Sequence, residues 1–288
     1  MAQACFKSWF VDFEPTRTKM AALAAGGSEE DLNLAAMSAI SGKSAQALAT
    51  LKATNPESYA NLHSTASLFP SRLEMSELGE IPEGWGYKSA ETLYDIAIGK
   101  TPPRKESQWF SRNPADIKWL SIKDMGNNSV FTGDTSEYLT SKAVAKHNVK
   151  IVPAKTVLLS FKLTVGRVQI ASDEICTNEA IAHLKQKEKS PDHIWTYCYL
   201  KQFDYSKLGS TSSIATAVNS QTIKKMPVLC AGEELLRRFM VAMENVFSEI
   251  VGNEKQSQTL TQLRDSLLPK LLSGEISVDA TTQASEAV

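Results

Sequence analysis

Cysteine and histidine are scarce in this 288-residue sequence, which contains four of each. The cysteines lie far apart, and the histidines follow neither the HExxH spacing nor another His/Cys ligand pattern, so no structural zinc site is expected. Separate thiols are typical of free cysteines in a reducing compartment. No metal ion or cofactor is predicted from these residues.

Long apolar runs are also missing. The sequence has no uninterrupted apolar stretch of the length that crosses a bilayer and no apolar segment of the kind found in secretory leaders. We therefore expect no membrane association and a cytoplasmic location.

The familiar catalytic motifs are each incomplete. Ser41-Gly42-Lys43-Ser44 resembles the end of a phosphate-binding loop, but Met37 occupies the position of the required earlier glycine. Asn113-Pro114-Ala115-Asp116 matches only the first two positions of the motif of adenine methyltransferases, and Asp116-Ile117-Lys118 lies on the wrong side of Asp192 for a nuclease-type carboxylate set. The chain by itself is not predicted to be an enzyme.

Basic and acidic residues are unevenly distributed along the sequence, although the net charge is only −1. Residues 1–84 and 231–288 each carry a net charge of −4, whereas residues 85–230 carry 20 basic and 13 acidic residues. Twelve of those basic residues, against five acidic ones, lie between Lys100 and Arg167. This pattern is typical of a domain that contacts a polyanion, and an ordinary solvated basic surface is the alternative.

Proline is absent between Pro227 and Pro269, and glycine occurs there only at 232 and 252. Apolar residues recur at steps of three and four, which predicts a helix that packs along another helix. About 35 helical residues span roughly 50 Å, so this helix is interpreted either as a long core helix or as a spacer. The apolar positions are Leu236, Phe239, Met243, Val246, Ile250, Leu260 and Leu267.

Aromatic residues are concentrated near the start of the sequence. Phe6, Trp9, Phe10 and Phe13 form a helical face that ends before Pro15. So much aromatic surface predicts the end of a helix whose beginning is missing or is supplied by another chain. Residues 16–70 then predict short helices, with Ser28, Ser44 and Asn55 as N-caps.

Short β-type runs follow from residue 78. Strands are predicted at Ile117–Ser121, Thr156–Phe161 and Arg167–Ala171, with 162–166 as a hairpin link. Residues from Ser190 to Phe203 predict a helix, and Gly209–Ser220 a loop. The fold class is α+β, with a mixed α/β domain, a small N-terminal helical segment and a long coiled-coil-type helix. The expected boundaries are 1–77, 78–230, 231–274 and a flexible tail at 275–288.

Three stretches resemble the specificity (S) subunit of type I restriction–modification systems. AQACFKSWFVDFEP at 2–15 is similar to the end of that family's central helical region, and LGEIPEGW at 78–85 to the entry of its target recognition domains. LRDSLLPKLLSGEI at 263–276 is similar to the end of its distal helix. Their order and spacing cover nearly the whole sequence.

The resemblance implies a non-catalytic subunit that reads double-stranded DNA. An S subunit carries two recognition domains, each reading one half of a bipartite site, joined by antiparallel helices that dock methyltransferase (M) subunits, and motor-nuclease (R) subunits complete the enzyme. This sequence resembles the second half of such a subunit, either a natural half-subunit or a fragment. A coiled-coil scaffold whose middle domain binds protein is the alternative.

Candidate DNA contacts combine cations, hydroxyls and amides in predicted loops, because cations contact phosphates and polar side chains read base edges. The loop after Lys100 is the first set, the hairpin link the second, and the turn around Asn127 and Asn128 the third. Gly209–Ser213 and Asn219 are further phosphate-binding candidates, and Trp119 and Trp195 are assigned to the core. The principal candidates are Lys100, Thr101, Arg104, Lys105, Gln108, Lys123, Asn127, Lys162, Thr164 and Arg167.

The apolar face of the long helix is the predicted protein interface. We expect it to pack against a helix of a second recognition half, or against a second copy in an antiparallel pair that would suit a palindromic bipartite site. The interface residues are Phe239, Met243, Val246, Ile250, Leu260, Leu263 and Leu267.

Overall fold

The computed structural model describes residues 1–127, 129–208 and 218–276, without the side chains of Asn127 and Lys207. Helices flank a middle region of mixed strands and helices, which confirms the predicted α+β class. The chain divides into two compact units, Met1–Glu244 and Asn245–Val288.

Short helices occupy the N-terminal segment, as predicted. The capping box is present, because Ser28 Oγ accepts from the Asp31 amide and the Asp31 carboxylate accepts from the Ser28 amide. Ser44 and Asn55 cap the next two helices. These elements are α1 (Ala2–Phe10), α2 (Glu14–Ala24), α3 (Glu29–Ser41), α4 (Ala45–Thr54) and α5 (Pro56–Ser67).

The first aromatic helix is shorter than predicted. Helix α1 ends at Phe10, and Phe13 adopts a left-handed backbone (φ 54°) as the N-cap of α2. The turn still directs Phe13 inward, where its ring lies 5.7 Å from that of Trp85. The helical spacing of the aromatic residues therefore predicted correctly which side chains are buried. It did not predict that the helix breaks between Phe10 and Phe13.

The middle region is built from short strands. They are β1 (Leu73–Ser76), β2 (Gly79–Pro82), β3 (Gly86–Ser89), β4 (Tyr94–Ile98), β5 (Phe110–Ser111), β6 (Ile117–Leu120), β7 (Glu137–Leu139), β8 (Val157–Ser160), β9 (Val168–Ile170), β10 (Cys176–Thr177), β11 (Ile181–Gln186) and β12 (Pro227–Cys230). The helices of this region are α6 (Ala90–Leu93), α7 (Ser141–His147), α8 (His193–Gln202) and α9 (Ser220–Lys225). Single 3-10 turns lie at Ser107–Trp109, Asp124–Asn127 and Tyr205–Leu208.

Two four-stranded sheets form the centre of the region. One has the order β4-β11-β8-β9, and its antiparallel pair β8–β9 is the predicted hairpin. The other has the order β10-β6-β7-β5, with β10 parallel to β6. Strands β3 and β12 pair antiparallel and bring the two ends of the middle region together. The predicted helix after Ser190 is α8, which begins at His193 with Asp192 as its cap.

The predicted long helix is α10 (Glu233–Leu272), which is continuous over 40 residues. Within the first unit its buried residues are Leu235, Phe239 and Met243. The predicted buried position was Leu236 instead of Leu235. That prediction assumed a coiled-coil partner, against which the buried residues of a helix alternate at steps of three and four. The buried residues instead follow a four-residue row, and the ring of Phe239 lies 5.3 Å from that of Phe10 in α1.

The aromatic face of α1 is covered within the chain itself. Phe6 is fully buried, and its ring lies 5.4 Å from that of Trp195 and 5.7 Å from that of Phe239. Trp9 and Phe10 also contact the Phe239 ring. Helices α8 and α10 therefore cover the aromatic face of α1. That the beginning of this helix is missing or is supplied by another chain stays a prediction.

The remaining predicted interface residues of α10 differ along the helix. Val246 and Ile250 are half-buried, whereas Leu260, Leu263 and Leu267 are 57%, 51% and 37% exposed.

Among the described helices, no segment combines the length and the hydropathy that a membrane crossing requires. All four cysteines are free thiols, and burial raises the pKa of Cys176 to about 12.

Candidate nucleic-acid interface

An open cleft of about 530 Å³ lies beside the sheet that contains β5, β6 and β7. Three cationic side chains, one carboxylate and three serine hydroxyl groups are on its walls, so the cleft carries an excess of positive charge and of hydrogen-bonding groups. Its lining residues are Arg104, Phe110, Ser111, Arg112, Ser121, Lys123, Ser136 and Glu137.

Aromatic rings fix the guanidinium of Arg104 in this cleft. It lies 4.2 Å from the ring centre of Phe110 and 4.5 Å from that of Trp119. Its Nη1 donates to both carboxylate oxygens of Glu137 at 2.8 Å. The β6–β7 register places Trp119 opposite Glu137, so the sheet positions both partners of the arginine. Half of the Arg104 side chain (49%) remains exposed.

Arg112 and Lys123 are exposed cations of the same cleft. Neither forms an ion pair with any residue in the described part of the chain. Lys118, in the neighbouring strand, differs from them, because its Nζ lies 2.8 Å from a carboxylate oxygen of Asp173 and 4.0 Å from one of Asp134. Arg112 and Lys123 therefore provide positive charge that is available to an anionic ligand.

Asp124 ties together two segments that line the cleft. Its carboxylate accepts hydrogen bonds from the amide and hydroxyl of Ser121, at 2.9 and 2.7 Å, and from those of Ser136, at 3.2 and 2.5 Å. Burial raises the pKa of Asp124, but these hydrogen bonds outweigh it, so the pKa is lower than for an ordinary carboxyl group. The ionised aspartate thus ties the segment that contains Lys123 to the segment that contains Ser136.

Arg167 connects the β8–β9 hairpin to the cleft. Its Nη1 donates to the carbonyl oxygen of Ile122 at 2.6 Å, next to Lys123. Since this guanidinium binds the protein backbone, Arg167 is a positioning residue in the structure. Lys162 and Thr164 are exposed in the hairpin link itself.

The start of the first candidate loop is held against β10. A Cβ atom on Gly99 would lie 2.1 Å from the Thr177 hydroxyl oxygen, so only glycine fits there. The amide of Lys100 donates to the Thr177 carbonyl oxygen at 2.9 Å, and Thr101 donates to the carboxylate of Glu179. The Lys100 side chain is exposed, whereas the Thr101 hydroxyl already has a partner.

The end of that loop is organised by Glu106. Its carboxylate accepts from Gln108 Nε2 at 3.2 Å and from Trp109 Nε1 at 2.9 Å. Gln108 and Lys105 are exposed, and Trp109 belongs to the core. Of the ten principal candidates, the structure therefore brings Arg104 and Lys123 into one cleft and attaches Arg167 to its edge.

Several candidates have other outcomes. The side chain of Asn127, residue 128 and residues 209–217 lie outside the described part of the chain. Asn219 is the N-cap of α9, where its side chain accepts from the amides of Gln221 and Thr222. Trp119 and Trp195 are buried, as predicted.

Sequence reasoning missed Arg112, Asp124 and Glu137. Arg112 was part of the counted basic surplus, so the charge distribution was a signal for it. Asp124 and Glu137 act through contacts with residues 12 and 33 positions away, and no local pattern indicates such contacts.

The motif fragments have structural roles. Gly42 ends α3 in a left-handed conformation (φ 66°), and Ser44 caps α4, so 41–44 is a helix-to-helix turn. Asn113 Oδ1 accepts from the amide of Ala115, which is an ordinary turn contact. Within the described residues, no group of three or more His, Cys, Asp or Glu side chains is arranged to hold a metal ion.

Comparisons with known proteins point to one family. The family model described as type I restriction modification DNA specificity domain matches residues 82–229. The chain is 36% identical over 288 positions to the type I restriction enzyme HindI specificity subunit of Haemophilus influenzae, covering 96% of this chain and 61% of that protein. It is 24% identical over 190 positions to the MjaIX specificity subunit of Methanocaldococcus jannaschii, covering 65% and 43%.

A solved structure is similar at lower identity. It is that of the HsdS subunit from Thermoanaerobacter tengcongensis, with a TM-score of 0.46 and 16% identity, over 86% of this chain and 59% of that one. The chain thus spans less than two thirds of the length of the curated relatives that it matches.

Proposed function

Because this chain belongs to the family of type I restriction–modification specificity subunits, we propose that it reads one half of a bipartite DNA site. The middle region contacts the duplex, and α10 docks methyltransferase subunits. Methyl transfer and cleavage are carried out by those subunits and by motor-nuclease subunits, so this chain is non-catalytic. A DNA target of this kind places the protein in the cytoplasm.

The observation that carries the proposal is the cationic cleft. Arg112 and Lys123 are free to contact phosphate groups, which supply most of the non-specific affinity for DNA. Arg104 and Glu137 form a rigid donor and acceptor pair at the cleft wall. Arginine pairs well with guanine and glutamate accepts from cytosine, so this pair is suited to reading base edges.

Helix α10 supports the docking part of the proposal. Its 40 residues span roughly 60 Å, longer than one turn of duplex DNA at about 35 Å. Leu260, Leu263 and Leu267 are exposed along it. Exposed leucines at helical spacing favour burial against another helix, from a methyltransferase subunit, a second recognition half or an antiparallel second copy.

The proposal that this chain recognises DNA is tested by reconstituting the full chain with its methyltransferase subunit and mapping methylated adenines across a genome. We expect a bipartite motif with the wild-type chain. Simultaneous substitution R104A/R112A/K123A should abolish methylation at that motif while the variant still co-purifies with the methyltransferase. The control K43A changes an exposed lysine between α3 and α4 and should methylate normally. Methylation of the same motif by the triple variant would refute the assignment.

The proposal that α10 docks other subunits requires a separate variant. Replacing three exposed leucines in L260D/L263D/L267D should prevent co-purification with the methyltransferase or pairing of two copies, since aspartate cannot be buried in an apolar helix interface. Binding of the isolated chain to duplex DNA should persist. If the variant assembles as the wild type does, α10 is not the docking element.

A further inference from the structure

Leu163 lies in the β8–β9 hairpin link and is 98% exposed. Its backbone is left-handed (φ 62°), which is unfavourable for a residue other than glycine, asparagine or aspartate. The position thus combines two costs, an aliphatic side chain in water and a strained backbone. The presence of leucine at this position is therefore explained neither by packing of its side chain nor by its backbone preference.

The link that carries Leu163 is fixed by hydrogen bonds. Buried Ser160 donates through Oγ to the carbonyl oxygen of Thr164 at 2.5 Å and accepts from the amide of Arg167 at 3.0 Å. The amide of Gly166 donates to the Ser160 carbonyl oxygen at 3.0 Å. A Cβ on Gly166 would lie 3.1 Å from the Tyr205 ring, so the link also packs closely against the fold. Leu163 is therefore presented at a defined position.

Two cations flank this apolar tip in the sequence. Lys162 precedes Leu163 and is exposed, and Arg167 joins the hairpin to Ile122, the neighbour of Lys123 in the cleft. A cationic rim favours an anionic partner over an apolar protein surface. Duplex DNA offers such a charge together with one apolar group that projects into the major groove, the 5-methyl group of thymine.

We propose that Leu163 is a specificity-determining residue that contacts a thymine methyl group in the major groove. The inference rests on the proposed function, because it requires that this region binds DNA. The hydrogen-bonded link positions the side chain, Lys162 contacts a neighbouring phosphate, and the Arg167–Ile122 contact joins the hairpin to the segment that contains Lys123. Leu163 thus selects an A·T pair at one position of the half-site.

The test uses the full chain reconstituted with the methyltransferase subunit. Bound duplexes are selected from a random library and sequenced for the wild type and for L163N, which removes the apolar group but tolerates the left-handed backbone. We expect L163N to lose preference at one A·T position by about tenfold and to keep the remaining half-site. L78N, at the half-exposed leucine between β1 and β2, is the matched control and should select the wild-type site.

A second arm removes the methyl group from the DNA. Replacing the selected thymine by uracil should weaken wild-type binding several-fold and leave L163N unaffected, because the lost contact is the same one. L163M retains an apolar side chain and should recover part of the preference. Thermal unfolding of each variant confirms that it is folded.

Each outcome decides a different claim. If the wild type selects no motif, the proposed function itself fails and this inference fails with it. If the wild type selects a motif that L163N selects equally well, or if L163N weakens binding to all duplexes alike, only the role of Leu163 is refuted. Loss of preference at a G·C pair, or uracil substitution that weakens both proteins equally, also overturns the methyl contact.

Discussion

The aromatic cluster around Phe239 and the cationic cleft around Arg104 use aromatic rings for opposite purposes. In the cluster, rings pack on rings, and Phe6 and Phe239 are both fully buried. In the cleft, Trp119 is also buried, but its face and that of Phe110 support a guanidinium that is half exposed. The first arrangement removes apolar surface from water, whereas the second holds a charge at the surface.

This difference separates stability from binding within one unit of the chain. Burial of rings contributes to folding in proportion to the area removed from water. An exposed ion pair such as Arg104–Glu137 contributes little to folding, so the rigid placement of its charge is more useful for contact with a ligand. Substitutions of the rings in the cluster and of the cations in the cleft should therefore have effects that do not overlap.

The largest expected effect is that of Phe239→Ala. Removing a fully buried ring that contacts Phe6, Trp9 and Phe10 should lower the free energy of unfolding by about 3–5 kcal/mol. Urea denaturation followed by tryptophan fluorescence measures this loss. The fraction that remains folded should bind duplex DNA with wild-type affinity.

Val241→Ala is the matched control for that prediction. Val241 lies in the same helix but is 58% exposed, so its substitution should change stability by less than about 0.5 kcal/mol. Equal losses in the two variants, or a Phe239→Ala protein that is folded but no longer binds DNA, would contradict the separation of the two regions.

Local signals in the sequence were sufficient to predict some of the elements. The Ser28–Asp31 capping box, the absence of proline before Pro269 and the branched runs flanking 162–166 correspond to α3, to α10 and to the β8–β9 hairpin. Each signal reports the backbone preference of its own segment, so it can be recognised without knowledge of the tertiary contacts that stabilise the element.

The composition of the site was less predictable, because its contacts are non-local. Arg104 was selected for its charge, but its position depends on Trp119 and Glu137, which only the β6–β7 register brings together. Likewise, Leu235 is buried more deeply than Leu236, in the helix whose Phe239 packs on the aromatic face of α1. A periodic pattern identifies a buried face, and the partner decides which residues lie at its centre.

An intermediate effect is expected for Lys123→Ala, now on DNA affinity. Lys123 has no carboxylate partner in the described part of the chain, so its removal should weaken binding without destabilising the fold. Losing one phosphate contact should reduce the slope of log affinity against log salt by about 1. Titration of the full chain with a duplex of arbitrary sequence between 50 and 200 mM salt, about the range where such slopes are measured, tests this.

Lys43→Ala provides the comparison for that titration. Lys43 is also an exposed lysine and lies outside the cleft, and its removal lowers the net charge by the same amount. If the two variants show the same slope, the cleft does not contact phosphate groups more than the rest of the surface does.

The smallest expected effect concerns the pH dependence of the segments around the cleft. The pKa of Asp124 is lowered by hydrogen bonds from Ser136 and Ser121, which outweigh the effect of burial. A carboxyl group with a lowered folded-state pKa stabilises the fold above its unfolded pKa of about 4, and this stabilisation is lost as the pH falls through the folded value. Asp124→Asn should therefore be less stable than the wild type at pH 7, and the difference should shrink below about pH 4.

Thermal unfolding of both proteins between neutral and acidic pH measures that difference. Buried His183 and half-buried His193, whose pKa is lowered to about 4, titrate in the same range but are present in both proteins and cancel. Asp116→Asn is the control, because the Asp116 carboxylate accepts no hydrogen bond from the described residues, and it should follow the wild-type curve. A constant gap between Asp124→Asn and the wild type across the whole range would mean that shape, and not the ionised carboxylate, holds Ser121 and Ser136 together. The cleft would then share the purely steric organisation of the aromatic cluster.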